Sequence, residues 1–281
     1  MIRPVARLPA ARIDVVVPAH DEERLVGASL DALARARAEL RRRAARLHAP
    51  VELGIVVVLD ACTDRTTSEV ERAISRSRAD GATDDRATDD RSADDRETSG
   101  ASADDDVAVI AISERNVGAA RRAGAAAALA VPTAVAPDRR WIATTDADSR
   151  VHPDWLVVQL EALLSGVDVL LGTVRPDAAD LDDEGWRRWL EAHPPGHLPG
   201  NVHGANLGVG VAAYERLGGF ATLAEHEDVD LVARARTAGL DVRATDRAPV
   251  VTSGRRVGRT PGGYAAFIAA TYGDHPDAAL C

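Results

Sequence analysis

An α/β fold, with one mostly parallel central sheet and helices on both of its faces, is predicted by three observations. Short runs of β-branched residues alternate with amphipathic stretches of helical period along most of the chain. Acids stand directly after two of those runs, at the carboxyl edge where open α/β sheets bind ligands. The 281 residues are 46% hydrophobic, enough to fill a core. The reading is a single domain spanning residues 1–281, with its core at about 13–259.

In chain order, Ile13 to Val17 (IDVVV) is a buried first strand, stopped by Pro18. From Glu23 to about Leu47, Val26, Leu30, Leu33, Leu40 and Leu47 fall mostly at three- and four-residue steps, which predicts a helix against the sheet. Val51 to Leu59 is a second buried strand and delivers Asp60. Thr66 to Ile74 reads as a helix with Asp64 as its cap, so Asp64 is given a structural role and Asp60 a ligand-facing one.

From about residue 76 to 106 the near-repeats ATDDR, ATDDR and SADDR carry almost no large apolar side chain. Such a stretch cannot offset its own ordering entropy, and a disordered acidic insertion is expected there. Val107 to Ile112 resumes the sheet. Arg115 to Gly118 then turns into an alanine-rich helix bearing Arg121 and Arg122, where backbone N–H groups and guanidinium forks lie together as an anion site requires.

Trp141 to Thr144 is the next strand, and it ends on Asp146 and Asp148. Paired carboxylates there suit a hard divalent cation or ribose hydroxyls; an Asp-rich turn bonding its own backbone is the structural alternative. A helix follows over Pro153 to Leu164, a strand over Val167 to Thr173, and a helix over Asp177 to Ala192 with Trp186 and Trp189 on one side. His193 and His197 are four apart, but Pro194 and Pro195 break the helix that a zinc face would need, leaving residues 193–200 as a lid or acceptor loop. A further helix is expected from His203, Gly204, Ala205 and Asn206 to Leu217, stopped by Gly218 and Gly219. The last helix begins in Glu225 to Asp230 and runs through Arg236; four acids in those six residues exceed what its dipole needs.

Composition narrows the chemistry. All 34 basic residues are arginine, which excludes the lysine of a P-loop and of a pyridoxal Schiff base. The formal charge of −10 argues against nucleic acid or an anionic membrane as the main partner, although the acidic insertion supplies part of it. Cys62 and Cys281 can build neither a disulfide framework nor a zinc cluster, which fits a reducing cytoplasm. No apolar run approaches about 18 residues, so no transmembrane segment is expected.

Six stretches in order resemble the nucleotide-sugar glycosyltransferases of family 2, whose fold is called GT-A: VVVPAHDEE (15–23), VVVLDACTDRT (56–66), RNVGAARRAG (115–124), TTDADSRVHPDWL (144–156), HGANLGVGVAAYERLGGF (203–220) and EHEDVDLVARARTAGL (225–240). The resemblance implies metal-dependent transfer of a sugar from a nucleotide-diphospho-sugar, with a UDP-sugar favoured, to the hydroxyl of a small or lipid-linked acceptor. Pro18, Ala19 and Glu22 then match the first nucleotide-contacting loop and Asp60 the base-binding acid. Arg121 and Arg122 match ribose or phosphate contacts, without deciding between them. Gly204 and Asn206 would shape the donor-sugar pocket. Asp148, with Asp146 on its ribose side, would ligate Mn²⁺ or Mg²⁺, and Asp228, with Glu227 beside it, matches the catalytic base of an inverting displacement.

The sequence also departs from the family pattern. Asp21 replaces the usual loop Asn, Leu59 and Asp60 replace an acid pair, and residues 252–256 (TSGRR) lack the histidine that some relatives use as a metal ligand, leaving Arg255, Arg256 or Arg259 to clamp phosphate. A catalytically impaired nucleotide-sugar-binding protein, a retaining GT-A relative and a sugar nucleotidyltransferase are the other readings; the last lacks its glycine-rich loop and basic residue.

Overall fold

The first strand, β1 (Ala11–Ala19), is the axis of the molecule in this computed structural model, which describes residues 10–47, 49–87, 107–194, 196, 198, 200–259 and 262–272. Its side chains alternate across the sheet. Ile13, Val15, Val17 and Ala19 pack under α1 (Val26–Leu47), α2 (Thr66–Ala87) and α4 (Trp155–Leu164), while Val16 enters the second core. That second core lies under α3 (Val117–Ala130), α6 (Val211–Arg216) and α7 (Glu227–Thr237). Helices therefore cover both faces, and IDVVV is apolar as a strand buried on both sides should be, except at Asp14, whose buried carboxylate is paired with Arg12 (2.7 Å).

β2 (Val51–Asp60) and β4 (Arg140–Thr144) flank β1 in parallel, and β3 (Val107–Ile112) adds to β2 in parallel. Pro18 is tolerated because pairing of β1 with β4 stops at Val16, so no ladder partner awaits an N–H at Pro18 on that side. Beyond β4 the order continues β7 (Leu207–Gly210), β6 (Val169–Pro176), β8 (Val242–Thr252) and β5 (Ser149–Arg150). β7 is antiparallel to both neighbours and β5 to β8, whereas β6 and β8 are parallel. The sheet is mostly parallel, with its antiparallel pairs confined to the second half.

Three expectations need correction. Residues 76–87 continue α2 instead of beginning a disordered insertion: the stretch has no proline, its Ala, Arg and acids tolerate a helix, and its one glycine costs only about 1 kcal/mol. The remainder of that insertion, 88–106, lies outside the described residues. Second, the helix expected from His203 to Leu217 is a single 3₁₀ turn (Gly204–Asn206), then β7, then the short α6. Its glycines fit because Gly208 lies against Trp141 and Gln159, where a Cβ would stand 2.0 Å from Gln159 Oε1. Third, the periodicity predicts neither β8 nor the helix α8 (Tyr264–Tyr272), which packs on α5 (Asp183–Ala192). Five of the eight residues of the expected 193–200 loop are described; Pro195, His197 and Pro199 lie outside the described residues.

Candidate active site

The ends of β1, β2 and β4 and the start of α7 meet at one edge of the sheet. Four non-glycine residues there hold positive φ: Asp21 (50°), Ala61 (50°), Arg115 (49°) and His226 (63°). Strain of this kind persists only where surrounding bonds over-determine it. Asp21 accepts from the N–H of Thr63 (2.6 Å) and of Asp64 (3.2 Å), which holds its carboxyl below the usual range; Ala61 N–H donates to Ile112 O (2.9 Å). Asp64 bonds Thr66 and Glu23 at the entry to α2, the structural role expected of it.

Arg121 is the hub. Its side chain is 4% exposed; one guanidinium arm pairs with Glu227 and the other with Asp146, while Nε finds no acceptor. Gly204 makes this possible, since a Cβ there would stand 2.3 Å from the guanidinium carbon. Gly204 N–H in turn donates to Asp228 Oδ2 (2.5 Å), and its carbonyl accepts from Thr144 Oγ1 (2.6 Å). The end of β4, the 3₁₀ turn and the first turn of α7 are thus tied into one cluster of Asp146, Glu227 and Asp228. Desolvation pushes the Asp146 carboxyl up; Arg121 opposes this, and the like charges of Asp148 and Asp228 reinforce it.

Asp148 sits two residues on, where β5 pairs with β8. Its Oδ1 accepts from Ser149 Oγ (3.1 Å) and Thr252 Oγ1 (3.2 Å), and its Oδ2 pairs with Arg255 (2.9 Å). Arg255 also reaches Glu22 (2.8 and 3.1 Å), as does Arg259. Burial, then the charge of Asp148, pushes Glu22 up to about 7 against the pull of both arginines. Pro18 and Ala19 form the strand end behind this cluster, where Ala19 O accepts from Cys62 Sγ (3.3 Å).

Other expected site residues are engaged elsewhere. Asp60, 3% exposed, accepts from the backbone N–H groups of Glu114, Arg115 and Asn116 (2.8, 2.8 and 2.7 Å), which fills most of its acceptor capacity and fixes the loop entering α3. Arg122 points away from its neighbour, donating to Gly218 O (3.0 Å) and Phe220 O (2.9 Å). Asn206 is 2% exposed; it accepts from Trp155 Nε1 (2.8 Å) and donates to Thr173 O (2.9 Å) and Ala248 O (3.1 Å). Its amide braces β6 and β8 and leaves no donor for a sugar, and Gly172 leaves it room. Arg256 is drawn toward Asp182 at the start of α5 (3.9 Å).

Sequence reasoning missed three supports. Thr66, Ser149 and Thr252 are buried hydroxyls beside site acids, and a hydroxyl next to a strand-end acid is the signal that could have found them. Among the described residues no three His, Cys, Asp or Glu side chains form a ready metal cage.

Glycosyl transferase family 2 is the family whose model matches residues 14–213 of this chain. No curated protein matches it in sequence. Among solved structures it is similar to mannosyltransferase PcManGT from Pyrobaculum calidifontis in complex with GDP-Man and Mn²⁺ (TM-score 0.56, 19% identity, covering 94% of this chain and 63% of that one). It is also similar to residues 1–349 of S. aureus TarS in complex with UDP (TM-score 0.54, 13% identity, covering 86% of this chain and 61% of that one). The chain thus spans about three-fifths of the length of these structures, and at such identities the likeness shows the fold alone. With the family model covering most of the chain and the sheet built as described, this chain belongs to glycosyl transferase family 2 and has the GT-A fold.

Proposed function

We propose that the chain transfers a sugar from a nucleotide-diphospho-sugar to an acceptor hydroxyl by direct, inverting displacement. The observation that carries the reading is the single cluster in which Arg121 joins Asp146 at the end of β4 to Glu227 beside Asp228 at the start of α7. It sets Asp146, one of the two strand-end acids, and Glu227, the residue before the candidate base, on the two arms of one guanidinium.

Asp228 is the base. It is only partly buried, and Gly204 N–H orients its carboxylate. The acceptor O–H bond breaks as its proton passes to Asp228, the oxygen bonds the anomeric carbon, and the carbon–oxygen bond to the diphosphate breaks with its electron pair leaving on the nucleoside diphosphate. Glu227 keeps Arg121 in place and so positions Asp146; Arg255 and Arg259 supply positive charge beside the diphosphate.

The residues present fit a divalent cation. Asp146 and Asp148 offer hard oxygen donors whose mutual repulsion a cation relieves, and Mg²⁺-type sites take one or two carboxylates and complete their shell from phosphates. Asp148 would hold Mn²⁺ or Mg²⁺ with Asp146 beside it, and the ion when bound neutralises charge on the departing diphosphate. Turnover of UDP- and GDP-sugars with Mn²⁺ tests this reading. Asp148→Ala and Asp228→Asn should each lower it about 10²-fold or more; wild-type turnover in both variants would remove the assignment.

A further inference from the structure

Beside the Asp228 cluster lies a cavity of about 290 Å³ between α5, α8, β6 and β8. Its position follows from two contacts. His203, which lines it, immediately precedes the Gly204 whose N–H holds Asp228, and Gly262, at the entry to α8, donates to Glu225 (2.9 Å) just before α7. Phenylalanine, tyrosine and tryptophan are scarce in this chain, nine in all. Trp189, Tyr264 and Phe267 line this one cavity, and Trp186 and Tyr272 pack behind them.

The rings are ordered. Trp186 and Trp189 are parallel within 2° at 5.3 Å, the His193 ring stacks on Trp189 at 4.4 Å, and His203 meets Tyr264 edge-on at 5.8 Å. The rest of the wall is largely aliphatic, and Leu190, Leu198 and Phe267, three of the large apolar side chains left exposed, stand around it. Thr173, Arg175, Asn201 and Asp246 are polar members of the lining. Trp189 Nε1 is buried with no acceptor at hydrogen-bond geometry, the Tyr264 hydroxyl being near enough only for a loose interaction. His193 Nδ1 faces the Trp189 carbonyl at 2.9 Å, so that nitrogen carries the proton and Nε2 is an acceptor. Burial holds His203 below the ordinary imidazole range, against the pull of Asp228, so its ring is neutral at pH 7.

We propose that this cavity is the acceptor subsite and that it takes a hydroxylated aromatic compound, the ring against the Trp189 and Tyr264 wall and the hydroxyl at the His203 side, next to Asp228. The proposal rests on the transfer reading above and deepens it. A cavity of about 150 Å³ holds one benzene, so the volume here suits a one- or two-ring body. A free sugar would use the polar members Arg175, Asn201 and Asp246, whereas the concentration of the chain's few aromatic rings in this one wall favours a flat aromatic body. A long isoprenoid chain exceeds the volume, and its diphosphate would face the acids of the site.

Calorimetric titration of 2-naphthol into the full chain tests the cavity apart from catalysis. Binding with a Kd on the order of 0.1 mM is expected. Ala244→Phe, which fills the cavity from β8, should weaken it at least about tenfold while the variant keeps a cooperative thermal transition. In parallel, nucleoside diphosphate release is measured with 2-naphthol, free hexoses and geraniol as acceptors, and kcat/KM should be highest for 2-naphthol. Absence of binding, equal binding by the variant, or a higher kcat/KM for a hexose or geraniol overturns the proposal. If 2-naphthol binds as expected but no donor turns over with any acceptor, the transfer reading fails and the ring-binding cavity stands. Transfer to other acceptors without 2-naphthol binding retires the cavity alone.

Discussion

The two sides of the cleft are built from opposite chemistry. On the strand-end side four site acids are matched to arginine: Glu22 to Arg255 and Arg259, Asp148 to Arg255, and Asp146 and Glu227 to Arg121. On the α5–α8 side, stacked rings and aliphatic groups form most of the wall, with one indole N–H left unmatched. The difference separates two ways of holding a ligand. Paired charges fix positions by direction and yield only to a group that replaces the pairing, such as a diphosphate with its cation, whereas an apolar wall selects by shape and volume.

The largest effect that would break this contrast is at Arg121. Arg121→Met leaves Glu227 and Asp146 without their counter-charge, and a loss of about 3–5 kcal/mol in urea unfolding at neutral pH is expected. A loss below about 1 kcal/mol would mean that charge pairing is not what holds this side together.

Glu22 sharpens the contrast next. Its folded value, about 7, stands above its ordinary 4.5. The stability linked to its proton is therefore fully present below pH 4.5 and is lost as pH rises through 7. Relative to Glu22→Gln, the wild type should lose about 3 kcal/mol between pH 4.5 and about 8. Parallel stability curves for the two proteins would contradict the burial that raises Glu22.

The smallest effect is expected at Arg122, whose bonds run to Gly218 and Phe220. Arg122→Ala should cost about 1 kcal/mol of stability and leave the donor KM within about twofold, where Arg121→Met changes both. A large rise in donor KM would return Arg122 to the site.

The first half of the fold was legible because strands buried on both faces must be continuous apolar runs, and β1, β2 and β3 were found within two residues of their bounds. β7 was hidden because LGVG carries two glycines and owes its strand form to pairing with β4 and β6. β8 was hidden because VRATDRAPVVT is exposed over most of its first half and breaks the apolar run with charges. At the site, Asp146, Asp148 and Asp228 could be named as candidates, but their partners could not. Arg255 meets Glu22 across 233 positions, and Arg121 was separated from Arg122 only by the turn of α3. Asp60 and Asn206 bond the backbone of distant segments, and in sequence a polar residue serving such a backbone reads like one that serves a substrate.

The most direct test of the account is the configuration at the anomeric carbon of the transferred sugar, read by NMR on product formed from a donor of known anomer. Direct displacement with Asp228 taking the acceptor proton predicts inversion, and a retained centre would contradict it.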